Sequence, residues 1–137
     1  MTKSRTDIIL VGSGLTAKCA ALMLYFSGYS FRWTMPHQKK KPRDSRTTTI
    51  HDAGMKMLSA LGVWNQIAGT PSPIHKIAVA HGVPPERSGQ KDWPLCWNND
   101  MPAMAYVVNN ALLSDALDSV YGGPAPFEAE IIRLERN

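Results

Sequence analysis

An apolar run, Asp7-Ile8-Ile9-Leu10-Val11, opens directly into Gly12-Ser13-Gly14-Leu15-Thr16-Ala17 and then into a second apolar stretch that reaches Phe26. Few backbones accommodate that order. The first run is β-branched and nearly all apolar, as in a parallel strand covered on both faces. The second is long enough for a helix, with Gly28 placed to end it. Phe31-Arg32-Trp33-Thr34 then returns as a strand, parallel to the first through a right-handed crossover, and Pro36 ends it. The glycine spacing is that of a dinucleotide-binding turn. Gly12 permits the tight bend, Gly14 lets the backbone approach a diphosphate, and the small Ala17 lets helix and strand pack closely. The helix then faces an anion with free N–H groups and a partial positive charge. The expected class is α/β, a Rossmann-like domain with a mainly parallel sheet.

At 137 residues the length prior is one domain, 1–137, large enough to bury its own core. Apolar residues make up 44% and charged residues 19%, an ordinary globular balance without a low-complexity tract or internal repeat. The apolar stretch from Ile8 to Phe26 is interrupted by Gly12, Gly14 and Lys18, so neither a signal peptide nor a bilayer-spanning helix is expected. Cys19 and Cys96 are the only cysteines and form no C-x-x-C pair, which points to two free thiols in a reducing compartment. A cytoplasmic location is the expectation. The net charge of +4 comes largely from Lys39, Lys40, Lys41, Arg43 and Arg46. Such a run reads as a solvated loop, or as cations that collect an anionic ligand. Nucleic acid is the weaker option, because no groove-reading element accompanies it.

Further along, Arg46 to Ile50 has β-branched character, and Asp52 is an N-cap candidate for a helix over Ala53 to Leu61, with Met55, Leu58 and Leu61 as its inward stripe. Val63 to Ile67 reads as a short helical piece and Ile74 to Ala80 as a strand. The segment 82–102, rich in Pro, Gly, Asn and Trp, is either a long surface excursion or a poorly formed hairpin. Ala105 to Val108 is a strand and Asn110 to Val120 a helix with Leu112, Leu113, Ala116 and Leu117 inward; Glu130 to Leu134 is a last strand. His37, His51, His75 and His81 have no metal-ligand spacing, so no metal site is expected. Ser13 is not in a nucleophile elbow, and Trp64, Trp93 and Trp97 read as packing residues.

Five separated segments follow one order: Gly12 to Ala17, Asp44 to Thr49, Leu58 to Trp64, Pro73-Ile74, and Tyr106 to Leu113. Together they resemble the N-terminal part of the FAD-dependent aromatic-ring hydroxylases of ubiquinone biosynthesis, class A flavoprotein monooxygenases. The resemblance implies FAD bound in extended form, reduction by NAD(P)H, and dioxygen-dependent hydroxylation of a phenolic ring. Carried over by residue, Gly12, Ser13, Gly14, Leu15, Thr16 and Ala17 form the diphosphate segment, and Arg46 reaches towards the flavin side. Asn109 and Leu112 fall where such proteins begin a helix near the cofactor.

Two features depart from the pattern. Met35 stands at the end of the second strand, where the family has a carboxylate that accepts hydrogen bonds from the adenosine ribose, and a thioether is a poor acceptor. The later Gly-Asp motif and the substrate-covering sheet have no counterpart before Asn137, so the FAD-binding domain is expected to be truncated and inactive as an isolated chain. The alternative is a non-catalytic accessory protein with weakened or lost FAD binding. Either way, self-association or a complementing subunit is expected, with at most peripheral membrane contact.

Overall fold

The computed structural model describes residues 6–36, 43–79, 95–98 and 102–129. Strand β1 (Ile8–Val11) leads through the glycine turn into helix α1 (Leu15–Phe26), and the chain returns as β2 (Phe31–Met35), parallel to β1 with Ile8 opposite Phe31 and Val11 opposite Thr34. The strand–helix–strand unit therefore forms where the glycine spacing placed it. Ser27 and Gly28 end α1, with Gly28 at φ +73° and its amide bonded to the Tyr25 carbonyl. A short β8 (Phe127–Glu128) lies parallel on the far side of β2, giving a sheet of order β1-β2-β8. The strand expected over 130–134 lies outside the described residues.

Strand β1 alternates half-buried and exposed rather than being covered on both faces. Ile9 is 62% and Val11 49% exposed. Helix α1 and the inner packing cover one face, and among the described residues nothing covers the other.

A second sheet is antiparallel. Strand β3 (Thr47–His51) and β4 (Ser72–Ile74) flank β7 (Ala105–Asn109), with Thr47 opposite Asn109 and Ile74 opposite Ala105. The stretch expected as one strand from Ile74 breaks at His75. Beyond it β5 (Lys76–Val79) changes partner and pairs antiparallel with β6 (Leu95–Asn98), which favours the hairpin alternative for the Pro- and Trp-rich region. Helix α2 (Asp52–Ala60) begins one residue earlier than the capping pattern implied. His51 is its N-cap, and Asp52 lies inside the first turn, paired with Lys56 at 2.6 Å. There the carboxylate still complements the helix dipole.

Helix α3 (Trp64–Ile67) and helix α4 (Asn110–Val120) complete the order. The core lies between α1, α2, α3, α4 and β7, built from Leu22, Leu58, Val63, Ile67, Val108, Leu113, Ala116 and Leu117. Leu112, expected inward, is exposed, because the buried face of α4 runs through Ala111, Leu113, Ala116 and Leu117. Trp64 packs edge-on against Tyr106 with ring centroids 5.3 Å apart, a packing role. No described helix is long and apolar enough to cross a membrane.

Leu117 is fully buried where α4 meets the core. Leu117→Ala is expected to cost about 2–5 kcal/mol, read as a lowered denaturant midpoint with an unchanged slope. A loss below about 0.5 kcal/mol would contradict this core assignment.

Candidate functional site

Gly12 bends the chain at φ +128°, a region closed to side chains with a Cβ. Its amide donates to the Thr34 carbonyl at 2.9 Å and its carbonyl accepts from the Trp33 indole Nε1 at 2.8 Å. The turn is thus tied to β2 on both sides. A Cβ at Gly12 would stand 3.5 Å from that of Ala17, which is buried, so the small residue at 17 is what lets the helix begin this close to the strand.

Gly14 differs. It is the N-cap of α1 with an ordinary extended backbone, φ −77° and ψ 175°, and a Cβ there would meet no atom within 4 Å. No side chain caps α1, and its first turn carries no acid. The first amides of a helix have no intrahelical acceptor, so Leu15, Thr16 and Ala17 present donors beside an open position.

Two recesses meet at Ser13. One, of about 240 Å³, is lined by Ser13, Gly14, Leu15, Asp44, Asn110 and Ser114, with Arg43 and Asp115 at its rim. The other, of about 460 Å³, runs past Ser13 to Lys18, Trp33, Met35, Asp118 and Tyr121. Helix α4 walls both. Asn109 caps it by accepting from the Ala111 and Leu112 amides at 2.9 and 3.2 Å. Asn110 joins it to β3, accepting from the Thr48 hydroxyl at 2.6 Å and donating to Asp44 at 3.2 Å.

Among the described residues, the cations near the glycine turn, Lys18, Arg43 and Arg46, are matched by acids. Lys18 donates to Ser114 Oγ at 2.7 Å and to Asp118 Oδ2, and Arg43 pairs with Asp115 at 2.8 Å. Arg46 forms a fork with Asp44, both contacts at 2.9 Å, and its amide also donates to Asp44. The Arg46 guanidinium, then its amide and Asn110, hold the Asp44 carboxyl far below the usual carboxylate range, and Asp44 in turn raises Arg46.

The sequence-derived residues therefore divide. Ser13, Gly14 and Leu15 line the smaller recess, Gly12 and Ala17 shape the turn behind it, and Met35 lines the larger. Thr16 faces a separate apolar groove of about 470 Å³ with Leu15, Cys19, Ile50, Met57 and Leu113, where burial pushes the Cys19 thiol up. Arg46 is taken up by Asp44, and it is Asp44 that lines the recess. Sequence reasoning passed over Trp33, Lys18, Asp118 and Asn110. Lys18 left a signal: it is the only charge in α1, and Ser114 and Asp118, four residues apart, share one face of the helix opposite. Among the described residues no group of His, Cys, Asp and Glu is arranged to hold a metal ion.

A parallel strand–helix–strand unit with an open glycine turn at an uncapped helix N-terminus is the mark of a nucleotide-binding α/β domain. The family model for an FAD binding domain matches residues 5–120, and the chain belongs to that family. No curated protein matches its sequence. Among solved structures, it is similar to the flavin-dependent monooxygenase PieE in complex with FAD and substrate, with a TM-score of 0.57 and 17% identity over 88% of this chain and 22% of PieE. It is similar also to the OxyS anhydrotetracycline hydroxylase from Streptomyces rimosus, TM-score 0.55 and 21% identity over 85% of this chain and 22% of that one. Tetracycline destructase Tet(51) aligns with a TM-score of 0.53 and 12% identity over 84% of this chain and 27% of its own. The likeness is one of fold, and the chain spans about a quarter of the length of these proteins.

The Asp44 clamp has a pH signature. Its carboxyl is depressed in the folded state, so its stabilising contribution is complete above the ordinary carboxylate value and is lost progressively as pH falls from there through the depressed one. The Asp44 carboxyl resonance is expected to stay flat from about pH 7 to about pH 3, whereas a free aspartate titrates near pH 4. An ordinary titration curve at Asp44 would show the clamp absent in solution.

Proposed function

We propose that this chain binds FAD, with the diphosphate on the Gly12 to Ala17 segment, the adenosine side in the recess lined by Met35, and the flavin side towards Asp44, Arg46 and Asn110. One observation carries the reading. The fold demands glycine at position 12 through φ +128° but not at position 14, where the backbone is ordinary and a Cβ would stand in open space. Close approach of a diphosphate supplies the demand that the folded chain itself lacks.

FAD, when bound, supplies the redox chemistry, and the chain binds and orients it. On the ordered resemblance of five segments, we read the whole activity as hydroxylation of a phenolic ring in ubiquinone biosynthesis, with NAD(P)H as reductant. This chain would be the part that grips the cofactor. Met35 favours a second reading, an accessory protein in which that grip has weakened. Flavin titration decides between the two.

Gly14→Asp separates ligand binding from folding. Aspartate is a good N-cap and its charge complements the helix dipole, so the unliganded melting point should hold or rise. The same charge repels a diphosphate, and FAD affinity is expected to fall at least about tenfold, or 1.4 kcal/mol. Failure of FAD, ADP and NAD(P)H alike to raise the melting point of the unaltered protein would sink the reading.

Exposed Ile9 and Val11 on β1, the edge strand of the described sheet, also support an association. We propose that a second copy or a complementing subunit covers that face. Sedimentation at rising concentration is expected to show a species heavier than 15.1 kDa, and a monomer throughout would refute self-association.

A further inference from the structure

Resting on the FAD reading above, we propose that Asp118, at the C-terminal end of α4, supplies the ribose-hydroxyl acceptor that Met35 cannot, so that the adenosine is held from the helix rather than from the end of the strand. The lining of one recess leads there. Met35 and Asp118 line one recess of about 460 Å³, and that recess begins at Ser13 in the glycine turn. A ribose attached to a diphosphate at Gly14 would enter it. Met35 brings only a thioether sulfur, a weak acceptor, to the place where ribose hydroxyls need a strong one.

Among the described residues, Asp118 is the one acidic side chain in that lining. Its Oδ2 accepts from Lys18, whose side chain is only 17% exposed and is further fixed by the Ser114 hydroxyl. Asp118 itself is 54% exposed, which leaves the carboxylate within reach of a ligand. Lys18 therefore acts as a positioning residue. It holds the carboxylate against the α1–α4 seam and offsets its charge near a diphosphate, while the outward oxygen serves as acceptor. Carboxylates accept up to about four hydrogen bonds, so pairing with Lys18 does not exhaust Asp118.

Calorimetric titration of the full chain with ADP and with 2′,3′-dideoxy-ADP tests this. The unaltered protein should bind ADP about tenfold more tightly than the dideoxy compound, the effect of one charge-assisted hydrogen bond. Asp118→Asn should abolish the preference, bringing the ratio of the two affinities to about one. Adding Met35→Glu to Asp118→Asn should restore the preference by returning an acid to the strand end, a rescue that a merely structural Asp118 would not show. Equal affinity of the unaltered protein for the two nucleotides would overturn the proposal even if the variants failed to fold. So would an Asp118→Asn protein that kept its preference. Binding of ADP with no preference defeats this inference alone, whereas no binding of ADP or FAD defeats the FAD reading along with it.

Discussion

The bend at Gly12 is the constraint on which the rest of the site depends. With its amide bonded to Thr34 and its carbonyl to the Trp33 indole, the turn cannot rotate without breaking two hydrogen bonds to β2. That fixes where α1 starts and in which direction its first amides point. Trp33 is itself held from behind, edge-on to Tyr121 at 5.4 Å, and Tyr121 lies edge-on to Tyr25 of α1 at 5.6 Å. The aromatic chain links the glycine turn to the far ends of both α1 and α4. A loop that would otherwise be soft thereby inherits the rigidity of the packed helices.

Helix α4 carries the second half of the arrangement. Its inner face supplies Leu113, Ala116 and Leu117 to the core, while its polar face presents Ser114, Asp115 and Asp118 to cations from the glycine turn side. Its N-terminus is set by the Asn109 cap and by the Asn110 bridge to Thr48 and Asp44. One element thus joins helix α1, the antiparallel sheet and both recesses. A change in its packing would move the walls of the site as well as the core.

The strand–turn–helix–strand unit was legible because its determinants are local: an apolar run, glycines at fixed spacing, and a terminating Gly28. The 3.6-residue period similarly exposed α4, and Asn109 fell at its start. What escaped the sequence was non-local. The single charge in α1 signalled that a partner was needed but not that it lay 100 residues away in Asp118, and nothing local distinguished Trp33 from an ordinary strand aromatic. Leu112 misled because a run of two leucines spans more than the width of one helix face. Asp52 misled because a capping residue and a first-turn acid look alike in sequence, and only the backbone angle of His51 separates them. The exposed face of β1 was misread for a related reason, since composition records what a strand is suited to have around it and not what is there.

The pairing of charges around the cradle changes how such a site would recognise an anion. Lys18, Arg43 and Arg46 are each bound to a carboxylate, so the near field of the side chains largely cancels. Among the described residues, what remains is the set of aligned amides at the start of α1 and the partial charge of the helix, which act over a few ångströms and only along their own directions. Exposed ion pairs of the Arg43–Asp115 kind contribute at most about 1 kcal/mol each to stability, so their consequence lies less in holding the fold than in neutralising the rim. On the proposed reading, geometry at Gly12 and Gly14, rather than accumulated positive charge, is then what would select a diphosphate.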